Sequence, residues 1–122
     1  MLSVEDRIYE IEQKYAHLIQ DVLVLSMTDE TFRLLLALLN GTTLRVSERW
    51  RGQTLIRYSY YWLDSDNRLK TGWDNLPHHS HISTHPHHKH SGQQSNVQPS
   101  QETNLDEVVA VILSEISADT NS

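Results

Sequence analysis

The sequence contains no cysteine. This absence excludes disulfide bonds, zinc sites built from thiolates and catalysis by a thiol, so any side-chain chemistry depends on His, Asp, Glu, Tyr, Lys or Arg. Long hydrophobic runs are absent as well. The most apolar stretch, residues 32–39, contains Arg33 and is far shorter than the roughly 18 apolar residues of a membrane span. We therefore expect no membrane association.

The start of the chain has no hydrophobic segment of the kind that a signal peptide requires. Residues 1–12 carry four acidic side chains instead, so a cytoplasmic location is expected. A length of 122 residues with 38% hydrophobic residues fits one hydrophobic core but not two. We therefore expect a single domain over residues 1–122.

The net charge of −6 is distributed unevenly along the chain. Residues 1–31 carry seven acids and two bases, and residues 91–122 carry five acids and no base. Between them, eight Lys and Arg residues face four Asp and Glu residues. A basic centre attracts phosphate locally, because salt limits the reach of each charge to about 10 Å. Segregation of surface charge by structural element explains the same pattern, so both interpretations stay open.

The hydrophobic pattern predicts an α+β fold. Apolar residues recur at helical spacing over residues 4–20, and Ser3 with Asp6 three residues later indicates a capping box at the start of this helix. Shorter apolar runs separated by turn residues predict five antiparallel strands within residues 22–73. Among the turns, Asn40-Gly41 predicts a type I′ hairpin.

The periodicity stops after Pro77. The composition predicts a histidine-rich loop over residues 74–92 and a polar connector over residues 93–103. Hydrophobic spacing returns and predicts a C-terminal helix over residues 104–117. The expected architecture is thus a five-stranded antiparallel meander flanked by one helix at each end.

Seven of the eight histidines lie within residues 78–90. One explanation is metal binding, since zinc binds imidazole nitrogen at about 2.0 to 2.1 Å. His85 and His87 share one side of an extended segment, and His88 and His90 share the other. These four form the candidate set for a Zn²⁺ site, although no HExxH motif fixes its geometry.

The second explanation is proton transfer without any cofactor. Imidazole titrates near neutrality, with an ordinary pKa of about 6.5. Cleavage of RNA by attack of its own 2′-hydroxyl needs one base and one acid. We predict that His78 or His79 faces His88 or His90 across a cleft. Asp74 is then placed to orient a histidine.

The basic and aromatic residues near this segment are candidates for holding RNA. Arg57, Lys70 and Lys89 are predicted to bind phosphate. Tyr58, Tyr60 and Tyr61 are candidates for stacking on bases or donating a hydroxyl, with Tyr58 assigned to substrate binding and Tyr60 to the catalytic centre. Alternating aromatic residues on a strand also indicate core packing, so both interpretations of the tyrosines remain open.

The segment YSYYWLDSDNRLKTGWDNLPHHSHISTHPHHKH resembles the TumE-like toxins of bacterial and archaeal type II toxin-antitoxin pairs, formerly grouped as a domain of unknown function. The resemblance runs from about Thr42 to His90 and includes an acid at Glu48. Gly72 departs from the family pattern, which often has Arg at this position, and Lys70 is the nearest substitute for binding phosphate there. The residues that match the pattern are Tyr58, Tyr60, Trp73, Asp74, Asn75, Pro77, His78, His79, Pro86, His87, His88, Lys89 and His90.

The resemblance implies a small toxin that is neutralised by a cognate antitoxin, often a helix-turn-helix protein. It does not imply a chemical mechanism. Ribonuclease activity is a hypothesis from the two histidine groups, the lack of cysteine and the basic middle of the chain. The alternative is a non-enzymatic module in which the histidine-rich loop holds a metal or a partner, and an inactive family member or a homodimer also remains open.

Overall fold

The computed structural model describes residues 3–77 and 79–120, with the backbone alone at residues 119 and 120. His78, one of the predicted catalytic residues, therefore lies outside the described residues. The elements in chain order are α1 (Val4–Lys14), β1 (Ile19–Met27), β2 (Thr31–Leu38), β3 (Thr43–Arg51), β4 (Thr54–Leu63), β5 (Leu69–Asp74), β6 (His88–Ser91), β7 (Val97–Pro99) and α2 (Leu105–Thr120).

The α+β class is confirmed, but the predicted number of strands is wrong. The sheet has seven antiparallel strands in the order β1-β2-β3-β4-β5-β6-β7. The two additional strands lie within the predicted histidine-rich loop and the predicted polar connector. They are four and three residues long and carry mostly polar side chains, so hydrophobic periodicity does not detect them.

The N-terminal helix begins as predicted and ends earlier. The Ser3 hydroxyl accepts from the Asp6 N–H, and the Asp6 carboxylate accepts from the Ser3 N–H, which completes the capping box. The helix ends at Lys14 and not at residue 20, because Ile19 already pairs with Leu38 in the sheet. At the other end of the chain, the second helix begins one residue later than predicted and extends three residues further.

The Asn40-Gly41 turn joins β2 and β3 as predicted, but it is not of type I′. That type needs positive φ at both central residues, and Gly41 has φ +87 while Asn67 is the one non-glycine residue with positive φ in the described chain. The connection spans residues 39–42, and the Asn40 side chain accepts from the Thr42 N–H at 3.1 Å.

One face of the sheet carries the hydrophobic core and both helices. Alternate residues of β2, β3 and β4 point into this core, where they meet the apolar sides of α1 and α2. Period-two alternation places the intervening residues on the opposite, open face. No helix among residues 3–77 and 79–120 is long and apolar enough to cross a membrane.

Candidate active site: an aspartate shared by two buried histidines

Cross-strand pairing on the open face aligns two arginines with two histidines. In the first row of paired residues, β2 to β6 contribute Arg33, Ser47, Ser59, Asp74 and His88. In the second row, the same strands contribute Leu35, Arg45, Tyr61, Gly72 and His90. Because neighbouring strands are about 4.8 Å apart, the backbones of Arg45 and His90 lie roughly 14 Å from each other.

Asp74 is the centre of the site. Its Oδ1 lies 2.8 Å from the His88 Nε2 and accepts the Leu76 N–H at 3.0 Å. Its Oδ2 lies 3.4 Å from the His90 Nε2 and accepts the Tyr61 hydroxyl at 3.1 Å. The side chains of Asp74 and His88 are each 2% exposed and that of His90 is 8% exposed, so water does not screen this group.

Backbone carbonyls fix the orientation of both imidazoles. The His88 Nδ1 lies 3.1 Å from the Pro86 carbonyl oxygen, and the His90 Nδ1 lies 2.8 Å from the Gln94 carbonyl oxygen. A carbonyl oxygen only accepts, so each Nδ1 carries a proton and donates it to that carbonyl. Each Nε2 is therefore the ring nitrogen that faces the Asp74 carboxylate.

The residues after Asp74 turn the chain back over the site. The Leu76 N–H bonded to Asp74 forms a turn that asparagine and aspartate favour. The Asn75 side chain accepts the Tyr58 N–H at 2.9 Å and donates to the Ile56 carbonyl at 3.0 Å, so it continues the pairing of β4 where β5 has ended. The sequence WDN thus contains Asp74, which is both the last residue of β5 and the site carboxylate, and Asn75, which anchors the loop.

This loop brings two further histidines to the site. The ring centroid of His79 lies 4.8 Å from that of His88 and 6.2 Å from that of His90. The His81 ring stands edge-on to His79 at 5.9 Å. His79 is half-buried and His81 is exposed, so they are the members of the cluster that a ligand can reach most easily.

Gly72 makes room for the Tyr61 ring. A Cβ atom at Gly72 would lie 2.2 Å from the Tyr61 Cδ1, which is well inside van der Waals contact. Any side chain at this position would have to displace the ring whose hydroxyl donates to Asp74. Burial and then the charge of Asp74 raise the pKa of Tyr61, which keeps the hydroxyl as a donor. Packing against the Tyr61 ring therefore explains why position 72 is a glycine in this chain.

A groove of about 570 Å³ on the open face borders the site. Its lining includes Arg33, Arg45, Ser47, Tyr61 and Gln94. The last two residues also contact the site, since Tyr61 donates to Asp74 and the Gln94 carbonyl accepts from His90. The groove and the histidine site thus share a wall.

Tyr58 and Tyr60, which the sequence assigned to base stacking and to the catalytic centre, lie on the helix-covered face. Tyr60 is fully buried and donates its hydroxyl to Glu48 at 2.5 Å, away from the site. Tyr58 is buried, and its hydroxyl lies 2.8 Å from the His87 Nδ1. Burial raises the pKa of Tyr58 and lowers the pKa of His87, so a protonated tyrosine donates to a neutral histidine. Both tyrosines have the packing role that the sequence left open.

The predicted phosphate-binding residues are dispersed. Arg57 donates to the Asn75 carbonyl at 3.0 Å and is otherwise exposed on the open face. The Lys70 Nζ lies 4.7 Å from the centroid of the Trp62 ring. The Lys89 Nζ lies 3.6 Å from the Glu102 carboxylate. Of these three, Arg57 is the one that lines a groove on the open face.

The structure groups metal-binding side chains differently from the predicted His85, His87, His88 and His90. His85 is exposed, and His87 bonds to Tyr58 on the other side of β6. Within the part of the chain that the structure describes, Asp74, His88 and His90 are the group whose ligand atoms all lie within 4.8 Å of one another.

Sequence reasoning missed several site residues because no motif marks them. Gln94 contributes only a backbone carbonyl, and Arg33 and Arg45 belong to strands distant in sequence. Tyr61 was a candidate for donating its hydroxyl, but the sequence did not indicate Asp74 as its acceptor. A signal for part of the site was present: His88 and His90 alternate with Lys89, and Gly72 and Asp74 alternate with Trp73. This period-two spacing is typical of two paired strands.

One family model matches the chain. The model described as Toxin TumE matches residues 8–120, which includes every residue of the site. No curated protein and no solved structure matches the chain.

Proposed function

Because the chain belongs to the Toxin TumE family, we propose that it is a toxin that cleaves RNA at the site around Asp74. The observation that supports this best is the groove with Arg33 and Arg45, which shares Tyr61 and Gln94 with the histidine site. A basic groove next to several imidazoles fits a substrate that carries both phosphate groups and transferable protons.

The electrostatics of the open face favour a polyanion despite the net negative charge. Arg33, Arg45, Arg49 and Arg57 all line grooves on this face. Among the described residues, Arg33 and Arg45 take part in no ion pair within 4 Å, whereas Arg49 pairs with Glu30 at 3.5 Å. Guanidinium groups with free donors bind phosphate in a two-pronged geometry. These arginines can therefore hold the backbone of a single RNA strand.

The proposed reaction is transfer of the phosphate to the neighbouring 2′-oxygen. A neutral imidazole takes the proton of the 2′-hydroxyl as this oxygen attacks phosphorus. The bond from phosphorus to the 5′-oxygen breaks, and a protonated imidazole gives its proton to the departing oxygen. The products are a 2′,3′-cyclic phosphate and a 5′-hydroxyl, with no net consumption of protons. Two such transfers supply general acid and base catalysis.

His79 and His81 are the imidazoles that we assign to these transfers. Their rings lie 5.9 Å apart, and His79 is half-buried while His81 is exposed. The ring nitrogens of His88 and His90 are already directed at Asp74 and at backbone carbonyls. These two histidines are thus better suited to support His79, whose ring contacts both, than to contact RNA.

The double variant Arg33→Ser, Arg45→Ser tests the groove. We expect weaker RNA binding and a flatter dependence of log Kd on log salt, by about 0.7 for each phosphate group of single-stranded RNA that the variant no longer neutralises. Cleavage should fall mainly through KM, because the imidazoles are unchanged. The measurement is RNA binding and cleavage at several salt concentrations.

The matched control for the groove is Arg51→Ser, which removes an exposed arginine at the end of β3. It should leave the salt dependence unchanged. An unchanged salt dependence in the double variant as well would remove the groove as the RNA site.

We further propose that a cognate antitoxin of the helix-turn-helix class neutralises the chain. The support is the toxin family together with the resemblance of the sequence to members of toxin-antitoxin pairs. Co-expression of the chain with the small protein encoded by the neighbouring gene should relieve the growth arrest that the chain causes alone. Growth arrest that persists in the presence of every neighbouring gene product would contradict this pairing.

A further inference from the structure

We propose that Asp74, His88 and His90 bind a divalent transition-metal ion of the zinc class. The three side chains come from β5 and β6, are all buried, and hold their ligand atoms within 4.8 Å of one another. This set differs from the four histidines that the sequence suggested, because it includes a carboxylate and excludes His85 and His87.

The ring nitrogens of both histidines meet a single buried carboxylate. Each Nδ1 is directed at a backbone carbonyl, so each Nε2 is the ring nitrogen that faces Asp74. Tyr61 and Leu76 donate to the carboxylate but not to the imidazoles. The two Nε2 atoms and one carboxylate oxygen are therefore the atoms placed to hold an ion.

The distances between the ligand atoms fit coordination of one ion. Two ligand atoms that are each about 2.1 Å from a zinc ion lie about 3.0 Å apart at a right angle and about 3.4 Å apart at the tetrahedral angle. The His88 Nε2 is 2.8 Å from one carboxylate oxygen, and the His90 Nε2 is 3.4 Å from the other. These two pairs of atoms are therefore spaced as ligands of one ion are, and the ligand atoms of all three side chains lie within 4.8 Å of one another.

The surroundings of the rings also match those of metal ligands. Histidines that bind a metal usually donate their second N–H to a carboxylate or a backbone carbonyl, which fixes the tautomer. Both His88 and His90 have such a carbonyl partner. Two imidazoles with one carboxylate suit zinc and similar transition metals, whereas Mg²⁺ prefers oxygen ligands alone.

A role of the ion in RNA cleavage depends on the proposed function. In that role the ion would withdraw electron density from a phosphoryl oxygen. As a bound ion it can be measured without RNA. The two proposals can therefore fail separately.

The test is zinc affinity of the full chain without a histidine tag. The protein is dialysed against a chelator and titrated with Zn²⁺ in competition with a coloured chelator. We expect one ion per chain, no displacement by excess Mg²⁺, and a Kd raised at least about 100-fold in Asp74→Asn and in His90→Gln, since even indirect partners of a ligand are worth 10- to 100-fold.

The choice of variants separates loss of the site from loss of the fold. Asparagine has the shape of aspartate, and its amide can donate to a histidine Nε2, so Asp74→Asn should keep the circular dichroism of the parent. His90→Gln is the second variant, in case the first does not fold. The control is the double variant His81→Ala, His85→Ala, which removes two exposed imidazoles and should leave the Kd unchanged.

The outcomes distinguish the two proposals. If Asp74→Asn and His90→Gln bind zinc as tightly as the parent, or if the affinity disappears only with His81 and His85, the metal site is wrong whatever the chain does to RNA. If the chain binds one zinc ion through Asp74 and His90 but leaves RNA intact, the metal site stands and the proposed cleavage fails.

Discussion

Replacing His79 with alanine should slow RNA cleavage by about 10² to 10⁴-fold, which is the usual contribution of a general acid or base. The reason is position: the His79 ring contacts His88 and His81 and is more exposed than His88 or His90. Because His79 lies in the loop between β5 and β6, the fold should be retained. Single-turnover cleavage of a short labelled RNA by the purified variant measures the effect.

His17→Ala is the control for this experiment. His17 is the one histidine outside residues 78–90, and it is exposed in the turn between α1 and β1. Its removal should leave cleavage and growth arrest unchanged. A folded His79→Ala chain that cleaves RNA at the parental rate would show that this imidazole takes no part in proton transfer.

Replacing Arg7 with alanine should lower the free energy of unfolding by about 3 to 5 kcal/mol, the usual cost of leaving one member of a buried ion pair without its partner. The Glu48 carboxylate is fully buried, and Arg7 lies on it through Nε at 2.9 Å and Nη2 at 3.1 Å. Trp50 and Tyr60 also donate to Glu48, but neither carries a charge. Urea unfolding followed by tryptophan fluorescence gives the free energy.

Two variants test whether the destabilisation comes from the unpaired Glu48 charge. Glu10→Gln removes the exposed partner of Arg7 and should change stability by no more than about 0.5 kcal/mol. Adding Glu48→Gln to Arg7→Ala should restore part of the stability, because no buried charge then remains. A decrease below about 1 kcal/mol in Arg7→Ala would show that this ion pair does not hold α1 against the sheet.

The sequence predicted the parts of the fold that hydrophobic burial determines. Apolar residues at period two in β2 to β4, and at helical spacing in both helices, form the observed core. The strands β6 and β7 could not be found in this way. His88 and His90 take their places through Asp74, Pro86 and Gln94, and such polar interactions leave no hydrophobic period in the sequence.

The site was predicted in composition but not in arrangement. Clustering pointed to Asp74, His79, His88 and His90, and the structure places these four together. Spacing alone could not show that Asp74 lies opposite His88 while His87 points through the sheet to Tyr58. That division depends on the register between β5 and β6, and a shift of one residue would exchange the two faces.

The assignment of Arg33 and Arg45 illustrates the same limit. Both residues are far from the histidines in sequence, so composition grouped the histidines with nearby Lys70 and Lys89 instead. Pairing across three or four strands brings the two arginines into the same rows as His88 and His90. A chemical site on a sheet is defined by such rows, which only the strand order and register reveal.

The most direct test is to map RNA 5′ ends in cells that express the chain without an antitoxin. The proposed function predicts discrete new 5′-hydroxyl ends that appear with growth arrest and are absent when the His79→Ala chain is expressed at the same level. Growth arrest by the unaltered chain with no new RNA ends would contradict it.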